Sequence, residues 1–166
     1  MITIISGTNR KDSRTLKVAK VYYQLMQERA VDVQLLSLEK LPVWERGREL
    51  RKLEDKLLIP SEKFMIIMPE YNGSFPGILK LLLDNTDIKK CWWHKKAALV
   101  GVADGRGGNL RGIEHMTNIL HYLKMNVFYN KLPLSRINEE LSENGTFLQQ
   151  ITIRAITEQI EDFLNY

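Results

Sequence analysis

The first stretch of the chain that could do chemistry is G-T-N-R-K-D-S-R-T at residues 7–15. It follows the apolar run M-I-T-I-I-S and precedes apolar residues at helical spacing, so it predicts a loop between a strand and a helix. The first amides of a helix lack intrahelical partners and carry the positive end of the helix dipole, which favours a bound anion. Three hydroxyls and one guanidinium could add donors to a phosphate there: Thr8, Ser13, Thr15 and Arg10.

A second informative stretch, P-E-Y-N-G-S-F-P-G at residues 69–77, follows the continuous apolar run at residues 63–68. That run predicts a central parallel strand that is covered on both faces. Prolines and glycines leave the loop few accessible shapes, and Pro76 stands where a helix would start. Backbone amides, Asn72 and Ser74 could bond the edge of a flat heteroaromatic ligand, while the rings of Tyr71 and Phe75 cover its face.

The third stretch is D-G-R-G-G-N at residues 104–109, after an apolar run at residues 97–103. Its glycines would let a ligand approach the backbone closely. The sequence thus predicts three ligand-binding loops, each at the end of a buried strand.

Other chemistries are disfavoured by the same residues. Ser74 lacks the Gly-x-Ser-x-Gly surroundings of a hydrolase, and the first loop lacks both the lysine of a Walker phosphate loop and the Gly-x-Gly-x-x-Gly of a dinucleotide site. Glu70 and Asp104 are interpreted as stabilising loops or subunit contacts rather than as acid and base.

The single cysteine, Cys91, is expected to be inert, and no metal site is predicted. The histidines are assigned to surface or helix-packing roles: His94, His115 and His121.

Hydrophobic spacing between these loops predicts strands that alternate with helices. Strands are expected over residues 1–6, 31–38, 63–68, 97–103 and 126–129 with Leu132, and helices over residues 16–29, 46–58, 78–85, 110–123 and 147–164. Residues 135–144 are interpreted as a polar connection. This order predicts an α/β fold, a three-layer sandwich in which helices cover both faces of a parallel sheet, and in a doubly wound sheet of flavodoxin type the five strands lie in the order 2-1-3-4-5. The loops after strands 1, 3 and 4 would then flank the point where strand order reverses, which is where such sheets bind ligands.

The composition is that of one soluble domain spanning residues 1–166, with 44% hydrophobic and 27% charged residues. No apolar run is long enough to span a membrane and no signal peptide is indicated, so a cytoplasmic location is expected. The net charge of +4 suits an anionic ligand and does not argue for nucleic acid. The segment K-K-C-W-W-H-K-K at residues 89–96 could attract single-stranded nucleic acid, but a solvated loop anchored by its tryptophans is the favoured interpretation.

The three loops resemble those of the flavodoxin-like NAD(P)H-dependent FMN reductases, a family that includes quinone, chromate and azo-dye reductases. The most specific part of the resemblance is Pro-Glu-Tyr-Asn followed by the Ser-x-Pro-Gly helix start. The resemblance implies that FMN is the cofactor, that NADPH or NADH is the co-substrate, and that the chain assembles as a homodimer or homotetramer. It also implies the cofactor-binding residues, which are Thr8, Arg10, Ser13, Thr15, Pro69, Glu70, Tyr71, Asn72, Gly73, Asp104, Gly105 and Gly108.

In such a site the redox chemistry belongs to the flavin, so no side chain is assigned as catalytic. The expected reaction passes electrons from NAD(P)H to a small acceptor such as FMN, a quinone or another xenobiotic. Arg106 and Arg111 are candidates to bind the nicotinamide phosphates. Two alternatives stay open: an electron carrier of flavodoxin type, against which the basic composition weighs, and a non-enzymatic flavodoxin-like interaction protein.

Overall fold

The apolar run at residues 63–68 is the central strand of a parallel sheet in the computed structural model, which describes residues 1–166. The strands are β1 (Ile2–Ser6), β2 (Val33–Ser37), β3 (Lys63–Pro69), β4 (Lys96–Val102), β5 (Asn126–Val127) and β6 (Leu132–Leu134). They pair in the order β2-β1-β3-β4-β5, and β6 also pairs with β4. The predicted order 2-1-3-4-5 is confirmed, although the sheet has six strands rather than five.

Helices cover both faces of this sheet. They are α1 (Arg14–Glu28), α2 (Arg48–Leu53), α3 (Gly77–Asn85), α4 (Ile88–Cys91), α5 (Leu110–Tyr122), α6 (Ile137–Glu140) and α7 (Gln150–Asn165). Alternate residues of β3 point to opposite faces, so Phe64 and Ile66 pack on the side of α2 to α5 while Met65 and Ile67 pack on the side of α1 and α7. The continuous apolar run is therefore explained by burial of β3 on both faces.

The fifth strand is predicted at residues 126–129 with Leu132, and this prediction is wrong because the chain forms two short strands there. The chain leaves the sheet between β5 and β6. The fully buried side chain of Gln159 on α7 fills the break. Its Nε2 donates to the carbonyls of Leu99 (3.2 Å) and Asn130 (2.8 Å), and its Oε1 accepts from Tyr22 Oη at 2.7 Å. The side-chain amide satisfies a carbonyl of β4 that a continuous edge strand would have bonded.

Smaller differences concern the ends of elements. The predicted helix at residues 46–58 is α2 followed by a π-helical turn (Glu54–Leu58). The C-terminal helix begins at Gln150 instead of residue 147, because Phe147 is buried and forms an isolated β-bridge with Leu141. The polar connection at residues 135–144 contains the single turn α6.

The tryptophans of the lysine-rich segment at residues 89–96 pack onto the body, as the favoured interpretation expects, but the segment is not a loop throughout, since it includes the end of α4 and the first residue of β4. Trp92 is fully buried and donates from Nε1 to Thr86 Oγ1 at 2.9 Å, while Trp93 lies under the ammonium of Lys124 at 3.9 Å. Cys91 is also buried, and this burial, with the nearby Glu54 carboxylate, raises the pKa of the thiol to about 12. A thiol with such a pKa stays protonated near neutral pH and is a poor nucleophile.

None of the helices combines the length and the apolar character that crossing a membrane would require.

Candidate functional site

The three loops singled out in the sequence lie at one edge of the sheet. In the parallel register Ser6 of β1 is opposite Ile67, and Pro69 at the end of β3 is opposite Val102 at the end of β4. The backbone tightens this arrangement, because Gly7 N donates to Ile67 O at 2.8 Å and Glu70 N donates to Val102 O at 3.0 Å. The carboxyl ends of β1, β3 and β4 therefore place the loops side by side.

The first loop ends in a capped helix with free amides. Ser13 is the N-cap of α1, and its Oγ accepts from Leu16 N at 3.1 Å. The amides of Lys11, Asp12, Arg14 and Thr15 donate no hydrogen bond within the chain. Asp12 has a φ of 50°, which turns the backbone before the helix. These amides and the positive end of α1 together form a site suited to an anion.

The predicted phosphate-binding hydroxyls differ in what they already contact. Thr15 is 2% exposed and its hydroxyl has no hydrogen-bond partner in the chain. Ser13 Oγ only accepts within the chain, so its proton is free for a ligand. Thr8 is 1% exposed, and its Oγ1 lies 2.6 Å from Tyr71 Oη and accepts from Arg10 N at 3.3 Å. The Thr8 hydroxyl thus contacts the second loop directly.

The second loop is a two-residue β-turn that projects from the end of β3. Tyr71 and Ser74 exchange two backbone hydrogen bonds, of 2.8 and 3.1 Å. The central residues, Asn72 and Gly73, have φ values of 52° and 74°. Asparagine followed by glycine is the preferred pair where both central residues need positive φ, so the local sequence specifies this hairpin.

Side chains from two directions hold the hairpin. On the side of the first loop, the Arg10 guanidinium lies over the Tyr71 ring at 4.2 Å, beside the contact between Thr8 and Tyr71. On the side of α5, Ser74 Oγ lies 2.8 Å from His115 Nδ1, and Arg111 Nη1 lies 3.6 Å from where a Cβ on Gly73 would be. The contact with His115 was missed by the sequence analysis, which assigned that residue a surface or packing role.

The third loop folds back on the strand that precedes it. Asn109, fully buried and at a φ of 65°, accepts from Gly112 N at 3.1 Å and donates to Met68 O at 3.1 Å, so it caps α5 and joins the loop to β3. Residues 104–107 are exposed. A Cβ on Gly105 or Gly107 would meet no atom within 4 Å, so the chain itself does not exclude side chains there.

The two carboxylates of the site have different surroundings. Asp104 Oδ1 accepts from Asn138 N at 3.4 Å, which agrees with a role in stabilising the loop. Glu70 is half-buried at the base of the hairpin, and its side chain makes no hydrogen bond or ion pair.

Comparison with known proteins identifies the group to which the chain belongs. A family model described as NADPH-dependent FMN reductase matches residues 1–139. An NADPH azoreductase from Bacillus sp. (strain OY1-2) is 29% identical over 137 residues, 80% of this chain and 72% of the relative. A 2-hydroxy-1,4-benzoquinone reductase from Burkholderia sp. is 23% identical over 161 residues, 91% of this chain and 87% of the relative.

The fold has a close counterpart among solved structures. The flavoenzyme FerB, an NAD(P)H:(acceptor) oxidoreductase from Paracoccus denitrificans, superposes with a TM-score of 0.82 at 24% identity. The match covers 99% of this chain and 95% of the other. Since the family model spans most of the chain and includes all three loops, this chain belongs to the NADPH-dependent FMN reductase family and is a flavin oxidoreductase that uses reduced nicotinamide.

Proposed function

We propose that this chain binds FMN across its three loops and passes electrons from NADPH or NADH to a small aromatic acceptor such as a quinone or an azo dye. The observation that carries the proposal is the direct contact between Thr8 and Tyr71, which joins a loop with free amides to a loop with an aromatic hairpin. FMN has one anionic end and one planar end, and this pair of loops offers a suitable surface to each.

The first loop fits the phosphate of FMN. Its free amides, the unpartnered Thr15 hydroxyl and the Ser13 proton are all donors, and Arg10 forms no ion pair within the chain. Donors that lack partners and lie at a helix N-terminus are what a phosphate dianion requires. We therefore assign Arg10, Ser13 and Thr15 to the phosphate, with Thr8 acting through Tyr71 and the Arg10 amide.

The second and third loops fit the ring system. The amides of Asn72 and Gly73 make no hydrogen bond within the chain, so they can donate to the polar edge of the isoalloxazine. Pro69, Glu70 and Tyr71 would line the ribityl chain and one side of the ring, and the exposed backbone at Asp104 and Gly105 would close the other side, with the buried Gly108 behind it. When bound, the flavin supplies two-electron transfer from the nicotinamide and onward transfer to the acceptor.

The role of the chain is to position both substrates over the ring. Arg106 and Arg111 are exposed and form no ion pair, and Arg111 lies against the hairpin at Gly73, so we assign these two arginines to the nicotinamide phosphates. The segment after β2 supports an aromatic acceptor. Asn9, Ile78 and Trp44 line a cavity of about 250 Å³ next to the first loop, and the Trp44 side chain is 64% exposed.

Purification and turnover together test this function. The protein is expected to retain a yellow chromophore that is released on denaturation and identified as FMN by mass spectrometry. Purified protein should then oxidise NADPH continuously when a benzoquinone is added. Bound FMN without such turnover would indicate an electron carrier, and failure to bind added FMN would contradict the proposal altogether.

Replacing Gly105 by alanine is expected to weaken FMN binding about tenfold, or about 1.4 kcal/mol, while leaving the melting temperature unchanged. The reason is that a Cβ at this position meets nothing in the chain, so only a ligand can collide with it. Gly107→Ala is the matched control, since its Cβ also has open space and no contact with FMN is assigned to it. Fluorescence titration with FMN measures both, and equal dissociation constants for the two variants would refute the assignment of Gly105.

We also propose a homodimer or homotetramer, on the basis of an apolar groove between α3 and α5. The groove encloses about 560 Å³ and its apolar lining includes Leu83, Ile119 and Leu123. Tyr122, which is 81% exposed, stands at the edge of the same groove. A protruding ring beside a cavity on one surface is self-complementary, because a twofold axis lets each copy insert its ring into the other.

Tyr122→Lys is expected to convert the assembly into monomers, because it removes the ring that would fill the partner's groove and places a charge against the apolar part of the lining. Light scattering coupled to size-exclusion chromatography measures the mass. His121→Lys is the control, since it adds the same charge to a neighbouring exposed position of α5 that does not line the groove. An assembly of unchanged mass in the Tyr122 variant would exclude this surface.

A cytoplasmic location completes the proposal. A reductase of this kind depends on a continuous supply of reduced nicotinamide, which the cytoplasm provides. Fractionation of cells with an antibody against the protein would test it.

A further inference from the structure

We propose that His115 is a positioning residue that fixes the 71–74 hairpin in the conformation that receives the flavin. This inference rests on the proposed function, because it assigns a role to a residue that contacts that site from outside. His115 lies on α5, a different element from the three loops, and acts on the ligand through Ser74.

The contact is a hydrogen bond between side chains that are distant in the sequence. Ser74 Oγ and His115 Nδ1 are 2.8 Å apart, and 41 residues separate them. Either the hydroxyl donates to Nδ1, or a protonated Nδ1 donates to the hydroxyl oxygen. Both arrangements fix the Ser74 end of the hairpin to α5, and both leave Nε2 of the imidazole without a partner in the chain.

The hairpin depends on side-chain contacts because it has few backbone hydrogen bonds of its own. Both central residues have positive φ, and the only backbone bonds that close the turn are those between Tyr71 and Ser74. An isolated two-stranded hairpin is marginally stable in water. The contact with Thr8 holds the Tyr71 end, and the contact with His115 holds the Ser74 end.

Arg111 supports the same conclusion, because it lies one helical turn before His115 on the same face of α5. Its Cδ and Nη1 lie 3.9 and 3.6 Å from the position of a Cβ on Gly73, under the tip of the hairpin. The two side chains of α5 therefore contact both halves of the turn. A hairpin held in this way presents the free amides of Asn72 and Gly73 without having to become ordered on binding, which increases affinity.

The test compares two replacements of His115. Leucine removes the hydrogen bond while keeping a side chain of similar bulk. Asparagine places an oxygen or an amide group at the same distance from Cβ as Nδ1, so it can restore the bond in either direction. His121→Leu, on the same helix and without a side-chain hydrogen bond, controls for changes in helix stability.

The first readout needs no flavin. In the flavin-free protein, hydrogen exchange of the Tyr71 and Ser74 amides is expected to accelerate about fivefold in His115→Leu, the equivalent of one lost hydrogen bond. His115→Asn should restore the slow exchange, and His121→Leu should not change it. Unchanged exchange in His115→Leu would overturn the proposal whether or not FMN binds.

The second readout is the dissociation constant of FMN. His115→Leu is expected to raise it about fivefold, His115→Asn to return it to the wild-type value, and Ser74→Ala to reproduce the leucine effect. The double variant His115→Leu/Ser74→Ala should bind FMN as tightly as either single variant, because each single substitution already removes the same hydrogen bond. Additive losses, or no rescue by asparagine, would refute the positioning role. Wild-type protein that binds no FMN would instead refute the proposed function.

Discussion

Riboflavin is expected to bind this protein about a thousandfold more weakly than FMN, a difference of about 4 kcal/mol. The two ligands share the ring and the ribityl chain, so the difference isolates the phosphate. Riboflavin has no phosphate to accept hydrogen bonds from the first loop. The donors left without an acceptor would be the free amides of this loop, the Thr15 hydroxyl and the Arg10 guanidinium. Hydrogen bonds to a charged group contribute about 1.5–3 kcal/mol each, so two or three of them account for the expected difference.

Variants of the first loop should remove part of this preference. Thr15→Val keeps the shape of the side chain and deletes the hydroxyl. We expect this variant to weaken FMN binding about tenfold and to leave riboflavin binding unchanged. Arg10→Ala should weaken FMN binding by a similar factor. The control is Arg154→Ala, which replaces an exposed arginine on α7 and should weaken the binding of neither ligand. Isothermal titration of the flavin-free protein gives all the constants. Equal affinities for FMN and riboflavin in the wild type would exclude this loop as the phosphate site.

The position of the three loops could be predicted from the sequence because it depends on local patterns. Continuous apolar runs identify the buried strands, and parallel strands bring their carboxyl ends to one edge. The Asn72–Gly73 pair likewise specifies its turn through the φ values that these two residues tolerate. Each of these inferences uses neighbours in the chain, which is why they agree with the structure.

The contacts between loops could not be predicted in this way. Thr8 and Tyr71 are 63 residues apart, and Ser74 and His115 are 41 apart, so no periodicity or motif relates them. The break between β5 and β6 has the same origin. It depends on Gln159, which is 29 residues beyond Asn130 and reads in the sequence as an ordinary polar residue of an amphipathic helix.

Replacing Gly101 by alanine is expected to lower the stability of the flavin-free protein by about 3 kcal/mol and its melting temperature by about 10 °C. Gly101 lies in β4, where the third loop folds back over the strand. A Cβ at this position would lie 2.1 Å from the backbone oxygen of Gly108 and 2.9 Å from Cδ1 of Ile113. Ile113 could adjust its rotamer, but the Gly108 carbonyl cannot move unless the whole loop moves.

The loop is unable to yield locally, because it is held on its far side as well. Gly108 has a φ of 53° and packs against Pro133. A Cβ added to Gly108 would lie only 2.7 Å from the Pro133 carbonyl carbon. Lifting the loop would also stretch the bond from Asn109 to Met68 O. Denaturation by urea and by heat without flavin measures the loss, since bound ligand would mask it. Gly107→Ala, whose Cβ meets nothing, is the control, and equal stability of the two variants would contradict the close approach of loop and strand.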